Sequence, residues 1–417
     1  MNESVSRRTV IGALGASALL PSLAGAQNFP ASLIPAGSRD LWNWVRAQLV
    51  LDPGLAWLDT AGSGPALRAV MVREYRSRER QSQDFRRYQA SVFSPDAMTR
   101  HLDRVATFLG AAPDEIAFTS GSADGLGIVA RGLDLQAGDE VLVSSHERAD
   151  AVGPWRIEAA RRGIRLVELP QDGMPAAPEA IVGQYAGAIT PRTRVLLVSH
   201  VRATDGTAMP LAEICALARA NGIFSVVDGA QGPGLVDFSL SDLGCDAYST
   251  AFHRWINASW GVGALFVRRD AQARVWPVAE DAPGATGAQA RYGASARHLG
   301  PSIEGLAIAL EFQQAVKRVR LGSRIRELAA YCRLQLATLP GVQILSPSHP
   351  SLATGIVSLR LPDRDHGAVV RALAEQDGTV VAHVQQGAGF DAIRVSLHPG
   401  NDPAQIDRCV NALRRHL

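Results

Sequence analysis

A chain of 417 residues, 47% hydrophobic and 20% charged, is long enough to build two domains with substantial apolar cores. Its formal net charge of +2 gives no electrostatic reason to expect nucleic acid or an acidic surface as partner. Arginine supplies the basic residues almost alone, Lys317 being the only lysine, and Cys215, Cys245, Cys332 and Cys409 show neither metal-type spacing nor a disulfide framework. Buried apolar packing is the expected role of each cysteine.

The first segment, Ser6-Arg7-Arg8-Thr9-Val10-Ile11-Gly12, resembles a twin-arginine export motif. A mildly apolar stretch rich in Ala and Gly follows to Leu23, and Ala24-Gly25-Ala26 before Gln27 reads as a cleavage site. The stretch is too short and too glycine-rich to span a bilayer, so no membrane insertion is expected. Cleavage after Ala26 predicts a periplasmic or secreted protein, with a net charge of +1 once Glu3, Arg7 and Arg8 are gone. Beyond this leader, apolar β-branched runs alternate with helical patterns. Strands are expected over 140–143, 165–169, 195–199, 224–227, 247–249 and 263–267, with helices such as 152–162 and 211–221 between them. Continuous apolar strands separated by helices imply an α/β fold with a mostly parallel sheet covered on both faces. Ligands collect at the carboxyl ends of such strands, where Ser120, Asp228 and His253 fall. The large domain is assigned to 40–300. From 301 a long helix (303–315), strands at 355–361 and 392–396 and helices near 367–375 and 403–413 give a smaller α+β C-terminal domain over 301–417, on which the segment 27–57 is placed. Lys317, in the helical stretch, reads as a solvated charge.

Several ordered motifs carry a family resemblance. Leu58-Asp59-Thr60-Ala61-Gly62-Ser63-Gly64-Pro65 is similar to L-N-N-A-G-x-G-P, Phe118-Thr119-Ser120-Gly121-Ser122-Ala123-Asp124-Gly125 to T-S-G-A-T-E-A, and Val226-Val227-Asp228-Gly229-Ala230-Gln231 to a strand ending in D-G-A-Q. Ser249-Thr250-Ala251-Phe252-His253-Arg254-Trp255 is similar to S-G-H-K-W, and Ile393-Arg394-Val395-Ser396 to R-[IVA]-S. Together they resemble the class V aminotransferase family of pyridoxal phosphate (PLP) enzymes, over roughly 40–415. The resemblance implies PLP-transferase fold type I and a homodimer with the pocket near the subunit interface. It also implies roles for single residues. Asp228 stands where the pyridine nitrogen is paired and Gln231 where the ring hydroxyl is met. Arg254 stands where the Schiff-base lysine belongs, and a guanidinium is not a nucleophile. His253 precedes it as a proton-moving base.

The turn Ser120–Ala123 is the anion site at a helix N-terminus, with Ala123 in place of the family's threonine hydroxyl; by itself it also reads as an ordinary turn and N-cap. His146-Glu147-Arg148 aligns to H-E-Y, which puts Arg148 at the position that stacks an aromatic on the cofactor ring. Arg394 takes a substrate carboxylate in a bidentate pair by this resemblance, with Ser63, His200 and Asp205 bordering the same pocket. Asp205 replaces the threonine of S-H-V-x-x-x-T-G. A buried aspartate needs a cation, and the pyridinium, Arg148 and Arg254 are all open to Asp228. No cysteine lies in Val384-Gln385-Gln386-Gly387-Ala388-Gly389-Phe390, where desulfurases of this family carry their nucleophile, so a desulfurase is not expected.

Three readings follow, in this order. The first is an enzyme handling an amino-acid-type or other carboxylate ligand without a lysine aldimine, with PLP or pyridoxamine phosphate held non-covalently. The second is a non-catalytic binding protein, without cofactor, that uses the arginine-rich pocket. The third is a conventional PLP transaminase or epimerase. No metal is expected.

Overall fold

The computed structural model describes residues 34–417 apart from 172–174, 176, 280–285 and 388. The leader expected over 1–26, its cleavage point and Ala388 lie outside the described residues. The chain begins with α1 (Ser38–Gln48) and the short strand β1 (Ala56–Trp57), then α2 (Arg68–Gln83), α3 (Phe85–Val92) and α4 (Pro95–Leu109). Strands and helices then alternate: β2 (Ile116–Thr119), α5 (Ser122–Gly132), β3 (Glu140–Ser144), α6 (Ala149–Arg162), β4 (Arg165–Leu169), α7 (Pro178–Ala188), β5 (Thr193–Ser199), α8 (Leu211–Ala220) and β6 (Phe224–Asp228). A helical turn α9 (Leu240–Leu243), β7 (Ala247–Ala251), β8 (Gly263–Val267) and the short α10 (Ala288–Tyr292) complete this part.

These strands form a seven-stranded sheet in the order β2-β8-β7-β6-β5-β3-β4. Every pair from β7 to β4 is parallel, and β8 runs antiparallel to both neighbours. The side-chain period of two sends alternate residues to opposite faces. Leu196, Val198 and Val227 join one core with Val105 of α4 and Ile214 of α8. Val195, Leu197 and Val226 join another with Leu126 of α5 and Trp155 of α6. Both faces are therefore covered, which is why these strands read as unbroken apolar runs. Each Leu or Val removed from water here contributes roughly 1.5–3 kcal/mol before entropy is counted.

The long helix expected over 303–315 is present, and a second helix follows it after a break. The first, α11 (Gly300–Val316), ends at Lys317 with φ 76°, and α12 (Arg318–Leu336) starts anew. Lys317 is exposed at this break. Then come β9 (Gln343–Ile344), β10 (Ile356–Arg360), α13 (His366–Asp377), β11 (Thr379–Val380), β12 (Ala382–Gln386), β13 (Phe390–Ser396) and α14 (Pro403–Arg414). A four-stranded antiparallel sheet, β12-β13-β10-β9, packs on α12 and α14 through Leu328, Val357, Ile393 and Ile406. The early strand β1 pairs in parallel with β11, Ala56 opposite Thr379. All four cysteines are buried and free. Among the described residues no helix is long and apolar enough to cross a membrane.

Candidate functional site

The carboxyl ends of β3, β5, β6 and β7 deliver His146, Glu147, Arg148, His200, Asp228, His253 and Arg254 to one rim of the large sheet. Asp228 is the last residue of β6 and is 2% exposed. Its Oδ1 accepts the backbone N–H of Ala230 at 3.0 Å. Its Oδ2 accepts Arg148 Nε–H, also at 3.0 Å. Of the cations open to Asp228 in the sequence, Arg148 is therefore the one that pairs with it, and Arg254 does not. The reason is local: Arg148 is the N-cap of α6, and its side chain spreads over three partners. Nη1 reaches Asp150 at 2.8 Å and Nη2 donates to Ser122 Oγ at 3.2 Å. Burial works against this cation, but Asp228 and Asp150 hold its pKa above the ordinary arginine value.

Arg254 has the opposite surroundings. It is 9% exposed, and its Nε–H donates to the carbonyl of Ala61 at 2.9 Å. Its Nη1 is buried with no hydrogen-bond partner among the described residues. Burial, with Arg148 adding repulsion, lowers its pKa to about 10. The loop 61–65 comes this close because of a glycine. A Cβ on Gly64 would stand 1.8 Å from the Arg254 carbonyl oxygen, while Gly64 N–H donates to the His253 carbonyl at 3.0 Å. His253 stacks on the exposed Trp260, ring centres 4.0 Å apart, and its Nε2 is buried and unpartnered among the described residues. Burial, then Arg254 and Arg148, drive its pKa down to about 3, so the imidazole is neutral and weakly basic. Trp260 donates through Nε1 to Ser63 Oγ at 2.9 Å, which fixes Ser63 at the mouth.

The turn before α5 is also engaged from within. Asp124 Oδ2 accepts both the backbone N–H and the hydroxyl of Ser120, at 3.0 and 3.1 Å. Gly121 is the N-cap residue without a side-chain cap, and Ala123 is exposed. Gln231 has both ends occupied: Nε2 donates to Ala61 O at 2.8 Å and Oε1 accepts Trp255 Nε1–H at 2.8 Å.

Arg394, on β13, lies 7% exposed against the other side of the same loop. Its Nη2 pairs with Asp59 Oδ1 at 2.7 Å and its Nη1 donates to Ala203 O at 2.8 Å. His200 is packed inside, its Nδ1 2.9 Å from Tyr248 Oη and its ring edge-on to Phe238. Burial lowers its pKa to about 3. Asp205 accepts Thr207 N–H at 2.9 Å and faces the fully buried Arg202 at 3.4 Å. Both His200 and Asp205 thus have protein partners. His146 bridges Thr204 Oγ1 at 2.8 Å and the Gln171 carbonyl at 3.0 Å, and packs edge-on to Phe390.

Three participants carried no role in the sequence reading. Glu147 is 2% exposed and accepts Ser199 N–H at 2.9 Å, Ser199 Oγ at 2.6 Å and Ser144 Oγ at 3.1 Å. Burial outweighs those donors and raises its pKa to about 7. Asp59 neutralises Arg394, and Trp260 covers His253. Asp59 lies inside a motif already singled out, so its acidity beside a family arginine was the available signal. Trp260 had none.

Comparisons with known proteins agree with this architecture. The fold is that of the fold type I PLP transferases. A lysine-to-alanine mutant of C-DES with glycine covalently linked to the PLP cofactor superposes with a TM-score of 0.76 at 24% identity, covering 88% of this chain and 98% of that one. The cysteine desulfurase CsdA from Escherichia coli does so with a TM-score of 0.76 at 23% identity, over 90% and 98%. The aminotransferase class-V family model matches residues 56–409, and the chain belongs to that family. Isopenicillin N epimerase from Amycolatopsis lactamdurans is 31% identical over 392 residues, 89% of this chain and 98% of that protein. A probable cysteine desulfurase from Pseudomonas putida is 31% identical over 339 residues, 76% and 81%.

Proposed function

We propose that this protein binds an amino-acid-type or other small carboxylate ligand non-covalently, in the pocket around Arg254, and forms no lysine aldimine there. The observation that carries this reading is the Arg254 guanidinium: it is buried, Asp228 and Asp150 act on it only through their charge without forming an ion pair with it, and its Nη1 is unpartnered among the described residues. A cation left in that state calls for an anion from outside. The pocket's residues do not fit PLP as they stand. Asp228, which would meet a pyridinium, is taken by Arg148. In the anion turn, the N–H and hydroxyl of Ser120 are taken by Asp124. No amine stands at Arg254, and His253 at about pKa 3 is a poor proton acceptor near neutral pH. This moves the binding reading ahead of the catalytic one. A second reading, PLP or pyridoxamine phosphate held without a bond to the protein, is supported by the C-DES mutant, which holds a PLP–glycine adduct after losing a lysine. It requires Arg148 to leave Asp228.

The test is mass spectrometry of small molecules released on denaturing the purified protein. The expected result is a carboxylate-bearing compound and no vitamin B6 species. Stoichiometric PLP or pyridoxamine phosphate would put the second reading first. The same proposal includes export and a homodimer. Arg7→Lys with Arg8→Lys should retain the chain in the cytoplasm, and light scattering at micromolar concentration should give twice the chain mass. Residues 1–26 found intact on the exported protein, or a monomer, would count against these parts.

A further inference from the structure

Away from that pocket, the smaller sheet brings two imidazoles and a carboxylate together. His366 is the first residue of α13, His383 lies on β12, and Asp391 lies on β13. In the antiparallel register His383 faces Ile393 and Asp391 faces Gln385, so His383 and Asp391 are diagonal neighbours on one face of the hairpin. Asp391 Oδ1 is 2.7 Å from His383 Nε2 and 3.1 Å from His366 Nδ1. One ligand atom from each residue falls within 4.8 Å of the others.

We propose that His366 Nδ1, His383 Nε2 and Asp391 Oδ1 form a binding site for a divalent transition-metal ion, with zinc as its representative. His366 is 3% exposed, and its buried Nδ1 faces Asp391 Oδ1 at 3.1 Å. That nitrogen points into the cluster. The opposite nitrogen has a backbone acceptor within reach. Nε2 of His366 accepts the Leu361 backbone N–H at 3.0 Å and lies 3.2 Å from the Leu361 carbonyl, so with Nδ1 as a metal ligand the ring changes tautomer and Nε2–H donates to that carbonyl instead. A backbone carbonyl in that role fixes the tautomer and raises ligand basicity.

The donor set selects the metal. Two imidazole nitrogens and one carboxylate suit zinc, cobalt, nickel and ferrous iron, whereas calcium and magnesium prefer oxygen alone. Tetrahedral zinc with bonds of about 2.1 Å spaces its ligand atoms about 3.4 Å apart, so a small rotation of Asp391 off the two nitrogens opens the site. The Asp391 side chain is 44% exposed, which leaves the fourth position to water. Gly367 makes the approach possible: a Cβ there would sit 3.1 Å from His383 Nδ1. Binding would clamp α13 to the β12-β13 hairpin. That hairpin ends beside the large domain, where Gln386 donates to the Glu147 carbonyl at 2.7 Å and Phe390 packs on His146.

The experiment is titration of zinc chloride into the untagged, chelator-stripped full chain, read by competition with a zinc-binding dye, and repeated with cobalt(II) read by visible absorption. One equivalent per chain is expected, with cobalt bands of a nitrogen- and oxygen-ligated site. His383→Ala and Asp391→Asn, both at partly exposed positions, should each weaken binding at least about tenfold, since even outer-shell changes cost that much. Circular dichroism establishes that these variants fold, which makes the buried His366 unnecessary to the test. No stoichiometric zinc on the wild type would overturn the proposal. So would undiminished zinc uptake by the chain carrying both substitutions, and the three residues would then be a hydrogen-bonded pair of histidines on one carboxylate.

Discussion

Arg148 and Arg254 stand at the same rim of one sheet, both largely removed from water and oppositely supplied with partners. The Arg148 corner is closed. Its guanidinium reaches Asp228, Asp150 and Ser122, and the cation is stabilised despite burial. The Arg254 corner is open, with one bond to a carbonyl, an unpartnered Nη1 and a cation weakened by burial. A buried charge is tolerated when the fold supplies its counter-charge, and otherwise the site awaits one. The difference gives Arg148 a structural part and, on the function proposed above, leaves ligand recognition to Arg254.

Substituting the two arginines by a side chain of similar volume breaks the comparison most directly. Arg148→Met leaves the Asp228 carboxylate buried alone and should destabilise the chain by about 3–5 kcal/mol in urea unfolding. A change under about 1 kcal/mol would mean that Asp228 has another partner.

Glu147, next to Arg148, sharpens the closed corner through pH. Its folded pKa is raised from 4.5 to about 7, chiefly by burial. The folded chain keeps that proton while the unfolded chain releases it, so this group lowers stability as pH rises from 4.5 to 7 and adds nothing further above. Glu147→Gln should remove that slope and gain about 3 kcal/mol near pH 8. His253 and His200, held near 3, act the other way and take stability away as pH falls below about 6.5. The informative quantity is therefore the difference between wild type and variant across pH, and parallel curves would refute a buried, protonated Glu147.

The smallest effect belongs to the open corner. Arg254→Met should stabilise the ligand-free chain by about 1–2 kcal/mol, because a buried cation without an ion-pair partner of its own is removed. It should also abolish the carboxylate binding proposed above. Destabilisation comparable to that of Arg148→Met would show that the two corners are alike.

Much of this was legible in the sequence, and the reasons are specific. The runs 195–199 and 224–227 read as strands because both faces of β5 and β6 are buried. Asp228, His253 and Arg254 followed from motif spacing. β12 was missed because Ala-His-Val-Gln-Gln has half-buried residues on both sides and no apolar period. The break at Lys317 was missed because a left-handed lysine has no local signature. Which arginine takes Asp228 is a matter of side-chain reach across distant elements, and spacing along the chain does not encode it. The histidines on α13 and β12 lie far from Asp391 in pattern and meet only through the hairpin register.

The most direct test of the Arg254 corner is borohydride reduction in the presence of PLP, followed by intact-mass and peptide mapping, on the wild type and on Arg254→Lys. With PLP at one equivalent the wild type should gain no stoichiometric pyridoxyl group, because no amine faces the pocket and Lys317, exposed at a helix break, takes only the partial label of a surface amine. Arg254→Lys, which supplies the missing amine, should gain a pyridoxyl group at residue 254, incompletely because Arg148 still holds Asp228. A stoichiometric pyridoxyl adduct on the wild-type chain, mapped to Lys317, would contradict the account.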